Sequence, residues 1–496
     1  MVLNPLFFLF FLFTIIIFSL FFLSNFKKSS FLFSNFTQIL IAFLIQFIGL
    51  YLWIMFDPFL IVTEYNRGFQ FFFSLPLNQF LGINLTFGLD GFSLLFILLT
   101  LFIFVLCFFA LVNFQKFQFN FFLTLLVLEF ILIIVFSVLD LFIFYVCFEA
   151  SLIPMFFIIG FWGSRSRRIK AVFYLFLYTM TTALLTLVSI LYILTQVGST
   201  FYPDLLNYNF SEHEQIYLWI CLFLTFATKI PIVPFHIWLP EAHVEAPTIG
   251  SVILASILLK LGGYGFIRFL LPLFPFATMF YLPFVYTLSI VSVVYASLVT
   301  IRQIDLKRII AYSSIAHMNM VVLGIFSNNI QGIDGALYLM IGHGIVSSAL
   351  FFLVGIVYDR YHTRLLRYYG GLIQLMPVYG IIFFLFTLGN IGFPGTSNFI
   401  GELLILVGIF EKNPFICIFS GVGILLSAVY SIWLFNRLFF GTLRLNYGFK
   451  YSELTIKEFL IFLPLLICMF IFGLNSNFIL NISYLNVEQL LLYSKI

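Results

Sequence analysis

Fourteen runs of about 20 residues, nearly free of charged side chains, follow one another along this 496-residue chain with short polar breaks between them. A helix of that length crosses the roughly 30 Å hydrocarbon core of a bilayer. The runs place spans at 4–24, 37–56, 91–112, 119–138, 140–161, 171–195, 215–235, 248–271, 276–299, 304–326, 334–357, 374–410, 415–440 and 457–478. Composition agrees. Hydrophobic residues make up 63% and charged residues 8%, against about 45–50% and 25% in soluble domains. Too little polar surface remains for a water-soluble globule, so the expected fold class is an all-α polytopic membrane protein. The run Leu6–Leu23 lacks a basic start and a small-residue cleavage site, which predicts a retained helix rather than a removed signal. Segment 57–90, with Asp57, Glu64, Arg67 and Asp90, is the longest stretch outside the spans and is expected to cap the outer face. About 18 residues follow the last span, so a short C-terminus is expected.

Lys and Arg test the count, because loops on the inner side carry the excess. Of the 23 such residues, 17 fall in odd-numbered loops. Only Arg67, Arg268, Lys412 and Lys495 fall in even loops or the C-terminus, and Lys229 and Lys260 lie inside spans. Both termini are therefore expected to face outward. No basic tract for nucleic acid is present. Cys107, Cys147, Cys221, Cys417 and Cys468 are scattered singly in apolar runs without metal or redox spacing. They read as small apolar residues, and a redox centre on this chain is not expected. The 74 Phe have no structural explanation here; an AT-rich coding sequence would account for them, since Leu, Ile or Phe satisfy lipid alike.

Among the ionisable side chains within the apolar runs, six in mid-span are the informative ones: Glu149 in span five, Lys229 in seven, Lys260 in eight, His317 in ten, His343 in eleven and Glu402 in twelve. A charged Lys or Asp at mid-membrane costs about 2.5–3.5 kcal/mol on insertion scales. The two Lys and two Glu together approach ~10 kcal/mol, comparable with the net stability of a whole domain. Such groups persist by pairing, by neutralising, or by facing water inside the bundle. A static pair that only fixes helix packing and a path for protons are both open readings. Helical spacing supports a polar file. Ser256, Lys260, Gly263 and Tyr264 share one face of span eight, and Ser313, Ser347 and Asn398 lie one turn from His317, His343 and Glu402. On the proton reading, moving Glu149 away from Lys229 removes the attraction that holds the ammonium proton. Lys260, His317 or His343 would relay it, and Glu402 would be the terminal carrier.

Two spans carry breaks. Pro231 and Pro234 follow Lys229, while Gly389, Gly392, Pro394, Gly395 and Gly401 interrupt span twelve. Backbone freed by such residues is tolerated in lipid only where protein or water re-satisfies it. Interrupted helices in corresponding positions of two halves mark an ion path. The breaks lie five spans apart, which predicts two inverted five-helix repeats, 119–271 (spans four to eight) and 276–440 (nine to thirteen). Residues 1–118 would precede them, and 441–496 would hold the last span and the C-terminus. Glu129 reads as a local packing residue. His236, Glu241, His243 and Glu245 read as a polar cap or proton entrance rather than a metal site. Asp140, Asp305, Lys307, Arg308, Asp359 and Arg360 read as interfacial or helix-end charges.

The stretch ATKIPIVPFHIWLPEAHVEAPTIGSVILASILLKLGGYGFIRF resembles the central segment of the antiporter-like membrane subunits of respiratory NADH:ubiquinone oxidoreductase (complex I), within them the subunit 4 (bacterial chain M) branch. FEASLIPMFFIIGFWG, LKRIIAYSSIAHMNMVVLGIF, LYLMIGHGIVSSALFFLVG and LGNIGFPGTSNFIGELLIL support it, and the resemblance covers roughly residues 85–445. It implies 14 spans in inverted repeats and one proton-translocating channel. The family's buried glutamates fall on Glu149 and Glu402, its lysines on Lys229 and Lys260, and its central histidines on His317 and His343. Sister subunits 2 and 5 usually carry Lys at the position of Glu402, and subunit 5 adds a long lateral helix. The resemblance places NADH, FMN, iron–sulfur clusters and ubiquinone in partner subunits, with no cofactor on this chain. It implies subunits 2 and 5 and membrane lipid as partners, and the mitochondrial inner membrane as location, with a bacterial plasma membrane as the alternative. A cation/proton antiporter subunit, a membrane-bound hydrogenase subunit and a non-transporting scaffold are the other readings.

Overall fold

The computed structural model describes residues 4–24, 35–58, 68–78, 83–111, 118–442 and 452–494. Glu64, Arg67 and the loop cations Lys27, Lys28, Lys116, Arg444, Lys450 and Lys495 lie outside the described residues. Within hydrocarbon every backbone N–H and C=O needs a partner in the chain, which leaves the helix as the solution for each apolar run. Eleven helices among the described residues are long and apolar enough to cross a membrane. Pro5–Ser19 and Pro377–Ile391 are shorter apolar helices in spans one and twelve. Glu212–Lys229 fills span seven, with Glu212, Glu214 and Lys229 lowering its hydropathy. Each of the fourteen expected spans thus contains helix.

Residues from the even-numbered side of the bundle meet one another, and so do residues of the odd-numbered loops. At one end, Asp90 before span three, Tyr202 after span six, Arg268 near the end of span eight and Asn486 after span fourteen line one recess. They belong to loops two and six, the end of span eight and the C-terminal tail. At the other end, Ser164 N–H donates to the Glu245 carbonyl at 3.0 Å, Leu306 N–H to that of Arg364 at 2.9 Å, and Gly371 N–H to that of Phe440 at 3.1 Å. These join the odd loops five, seven, nine, eleven and thirteen.

Both expected breaks are present. Helix Glu212–Lys229 stops before Pro231, a cis Val233–Pro234 bond follows, and helix resumes at Trp238–Glu245. The freed backbone is re-satisfied: Ile232 N–H donates to the Ala227 carbonyl at 3.0 Å, and Val233 N–H to Ser292 Oγ at 2.9 Å. Trp238 Nε1–H reaches the Thr228 carbonyl at 2.9 Å. In span twelve, Pro377–Ile391 ends on Gly392 (φ +76°), and Ser397–Lys412 begins after Gly395 (φ +91°). Left-handed glycines close a helix without a Cβ penalty.

Two elements were not foreseen. Strands Gln70–Asn78 and Ile83–Leu89 pair antiparallel as a hairpin within the 57–90 cap. Leu139 N–H donates to the Thr86 carbonyl at 2.9 Å, docking the hairpin between spans four and five. QFFFSLPLN lacks the alternation of a half-buried strand because Phe73 stacks on Phe87, with Phe10 tilted against the same ring, in an aromatic cluster. The C-terminal tail forms helix Asn477–Ser494. It is pinned by Ser483 Oγ donating to Asp334 Oδ1 at 2.7 Å and by Asn486 Oδ1 accepting from Gly91 N–H at 3.0 Å.

Candidate functional site

Span eight runs through the middle of the bundle, buried along residues 249–273. Two π-helical turns, Leu254–Leu258 and Phe266–Leu270, flank its α-helical centre Leu259–Gly265. A π turn shifts the helix register locally and re-aims the side chains beside it. Lys260 follows the first π turn. Its ammonium donates to the Ala255 carbonyl at 2.6 Å and meets Nδ1 of His343 at 2.9 Å. With Lys260 as donor, the His343 proton sits on Nε2.

The contacts continue across helices rather than along span eight. The His343 ring lies 5.6 Å from that of His317, centroid to centroid, at 44°. His317 Nδ1 is 3.3 Å from Glu402 Oε1. Tyr430 of span thirteen, which sequence reasoning missed, brings its hydroxyl within 3.5 Å of His317 Nε2. All these side chains are buried. Ser256 and Tyr264 spend their hydroxyls on the carbonyls of Val252 and Phe136, so the face they share with Lys260 adds no link. The Ser347 hydroxyl and the Asn398 amide are buried without a hydrogen-bond partner in the protein.

Close packing sets this geometry. A Cβ on Gly401 would lie 2.7 Å from the Leu339 nitrogen, so spans eleven and twelve meet backbone to backbone beside Glu402. Gly401→Val is expected to cost about 1–3 kcal/mol by overpacking, read as a lower thermal midpoint of the detergent-solubilised protein. Gly421→Ala, where a Cβ meets no atom within 4 Å, should leave that midpoint unchanged.

Glu149 and Lys229 form a second group, separate from the first. The Lys229 ammonium donates to the Phe148 carbonyl at 3.4 Å and lies 4.3 Å from the Phe148 ring centroid. Both Glu149 carboxylate oxygens are buried without a hydrogen bond. Thr228, next to Lys229, is 3.1 Å from the Thr182 hydroxyl of span six. No hydrogen bond joins Lys229 to Lys260. Glu129 is buried apart from both groups, with Oε2 unpartnered.

The PFHIWLPEAHVEAP residues do not converge. Glu241 pairs with Arg308 at 2.7 Å and Glu245 with Arg364 at 3.1 Å, while His243 stacks on Phe351 and His236 meets Tyr295 edge-on. Burial, with Lys307 and Lys260 adding repulsion, pushes the His243 imidazole down to about 3. Lys307 is buried and donates to the Ala246 carbonyl at 2.8 Å, and Arg364 also bonds the Val244 carbonyl. The segment is thus clamped to spans ten and eleven, and Lys307, in the first turn of helix Leu306–Phe326, is a helix-end charge that is also buried. Asp140 caps helix Leu141–Ala150 and accepts from Thr200 at 2.8 Å. Arg360 pairs with Glu458. Among the described residues, no three His, Cys, Asp or Glu side chains are grouped to hold a metal ion.

The family described as NADH:quinone oxidoreductase/Mrp antiporter, TM, matches residues 138–427. The chain is 52% identical to NADH-ubiquinone oxidoreductase chain 4 of Chondrus crispus, over 85% of this chain and 87% of that one. It is 50% identical to the Arabidopsis thaliana protein of the same name, over 92% and 91%. Among solved structures it is similar to a chain of respiratory complex I from Thermus thermophilus with bound NADH (TM-score 0.84, 27% identity), covering 93% of this chain and 95% of that one. A chain of the Mrp complex from Dietzia sp. shares the fold at 19% identity and TM-score 0.78, with 93% of this chain and 49% of that one covered.

Proposed function

We propose, from the premise that this chain belongs to the NADH-ubiquinone oxidoreductase chain 4 family of antiporter-like membrane subunits, that it carries protons through the membrane arm of an NADH:quinone oxidoreductase. The observation that supports this most is the contact series Lys260–His343–His317–Glu402. A Lys donates where a His ring nitrogen accepts, and a second His faces a carboxylate, so each group can take and release a proton. His343 receives at Nδ1 from Lys260 and releases from Nε2 toward His317. Ring rotation or one bridging water spans the gap between the rings. His317 then passes a proton to Glu402. Ser347 and Asn398 lie along the route with hydrogen-bonding capacity left over.

Glu149 and Lys229 are the gate on this reading. Lys229 sits where a helix ends in mid-bundle, so its ammonium can swing as the Glu149 charge moves. Thr182 and Thr228 offer hydroxyls beside it. Electrons pass through NADH, FMN, iron–sulfur clusters and ubiquinone on partner subunits. Residues 119–271 and 276–440 are the two inverted repeats, subunits 2 and 5 are the membrane neighbours, and both termini face the intermembrane space of mitochondria.

A native gel of gently solubilised source membranes, stained for NADH oxidation, tests the reading. This chain should co-migrate with a very large NADH-oxidising band. A smaller band without NADH activity, with sodium/proton exchange on reconstitution, would replace it with the antiporter reading.

A further inference from the structure

The second half of span twelve, Ser397–Lys412, begins in the middle of the bundle, directly after the break. One face of it carries Asn398, Glu402 and Ile405, at steps of four and three residues. Glycines on two neighbouring helices fix where this face points. A Cβ on Gly324 of span ten would lie 2.8 Å from Ile405 Cγ1, and one on Gly335 of span eleven 2.7 Å from the Ile405 nitrogen. Two turns along span eleven, a Cβ on Gly342 would lie 2.7 Å from Asn398 Oδ1 and 3.0 Å from Ser397 Oγ. The face therefore lines the seam between spans ten and eleven, the helices that carry His317 and His343.

Ser397 and Asn398 are fully buried, yet the Ser397 hydroxyl and both ends of the Asn398 amide have no hydrogen-bond partner in the protein. Thr396 at the N-cap does not cap the helix; its hydroxyl donates to the Phe393 carbonyl at 2.7 Å. A buried polar group left unpaired costs about 1–3 kcal/mol, and a helix start adds amide donors without partners in the helix. So many open groups within one turn call for a ligand. Ser397 and Asn398 carry no formal charge, which suits a neutral molecule able both to donate and to accept. Water is that molecule, and a buried water is held by two to four polar partners. Glu402, one turn on, has a use for it. Its 3.3 Å contact with His317 Nδ1 is longer than the about 2.7–2.9 Å of a charge-assisted hydrogen bond.

We propose that Ser397 and Asn398 are positioning residues that hold a water in this seam, and that this water passes the proton from the histidine pair to Glu402. The water takes one proton from an imidazolium and gives another to the carboxylate, so it is itself unchanged. This rests on the proton path proposed above and adds to it the last carrier before Glu402 and the two side chains that hold it.

The test measures protons moved per electron by the reconstituted complex. Asn398→Leu, close to Asn in shape but unable to hydrogen-bond, should lower the ratio as far as Glu402→Gln does. The double variant should lower it no further, because both changes remove the same step. A loss through packing would add to that of Glu402→Gln, and additivity would overturn the proposal. Asn398→Ser keeps a hydroxyl and leaves room for the water, and should recover part of the ratio. Ser397→Ala removes a hydroxyl that bonds nothing in the protein, so it serves where Asn398→Leu assembles poorly, and it too should lower the ratio. An unchanged ratio in Asn398→Leu beside a lowered one in Glu402→Gln would overturn the positioning role and leave the proton path standing. Unchanged ratios in both would overturn both. A density map of the assembled complex that resolves internal waters gives a second readout. It should show a water within hydrogen-bonding distance of Ser397 Oγ and the Asn398 amide in the native complex and none there in Asn398→Leu. Internal waters elsewhere in the native map, with none at this place, would overturn the proposal.

Discussion

Replacing Arg364 by Met is expected to leave little assembled complex. The guanidinium is buried and holds Glu245 at 3.1 Å together with the Val244 carbonyl. Removing one partner strands the Glu245 carboxylate without compensation, which costs about 3–5 kcal/mol. That is roughly 10²- to 10⁴-fold in a folding equilibrium, enough to unfold a loop whose neighbours Glu241 and Ala246 depend on the same clamp. The intensity of the NADH-oxidising band on a native gel reads the loss. Adding Glu245→Gln to the variant should recover part of it, since no unpaired charge then remains. A full-strength band from Arg364→Met alone would contradict the clamp.

Lys260→Met should do the opposite, preserving assembly and removing function. Met has a similar volume and needs no partner in an apolar core. The change leaves the His343 and Ala255 acceptors without their donor, a cost of about 1–3 kcal/mol, offset because a charge no longer has to be buried. Loss of a positioned acid–base group slows proton transfer by roughly 10²–10⁴-fold. NADH-driven proton uptake by proteoliposomes should fall accordingly at normal band intensity on the native gel. Lys260→Arg separates a carrier from a structural cation. Arg keeps the charge but does not give up its proton, so it should assemble and still fail to pump. Normal pumping by Lys260→Arg would show that only the charge matters.

The sequence made the spans legible because lipid demands uninterrupted apolar length, and the Lys and Arg alternation checked them from a separate property of the chain. The two breaks were legible for the same reason: Pro and Gly have few other uses inside an apolar run. Lys260, His343, His317 and Glu402 were visible as ionisable groups that could relay a proton, but the order of the histidines and the contacts between the side chains were not. Lys260 and His343 stand 83 residues apart, and no local pattern records which helices are neighbours. Apolar residues satisfy lipid on every face, so periodicity does not reveal the inward side of a helix. That is why Tyr430 was overlooked in SAVYSIW and why the order of the two histidines between Lys260 and Glu402 was left open. The burial of Lys307 and Arg364 was hidden because it depends on Ala246, Val244 and Glu245, more than 60 residues upstream for Lys307 and about twice that for Arg364. The hairpin and the C-terminal helix were hidden by aromatic stacking and by contacts to distant helix ends.

The most direct measurement is the number of protons moved per electron by reconstituted complex carrying Glu402→Gln. Gln keeps the shape of the side chain and can still hydrogen-bond His317, but it cannot take up and release a proton. The account predicts a lower proton-to-electron ratio in fully assembled complex. An unchanged ratio would contradict a proton path that runs from Lys260 through His343 and His317 to Glu402.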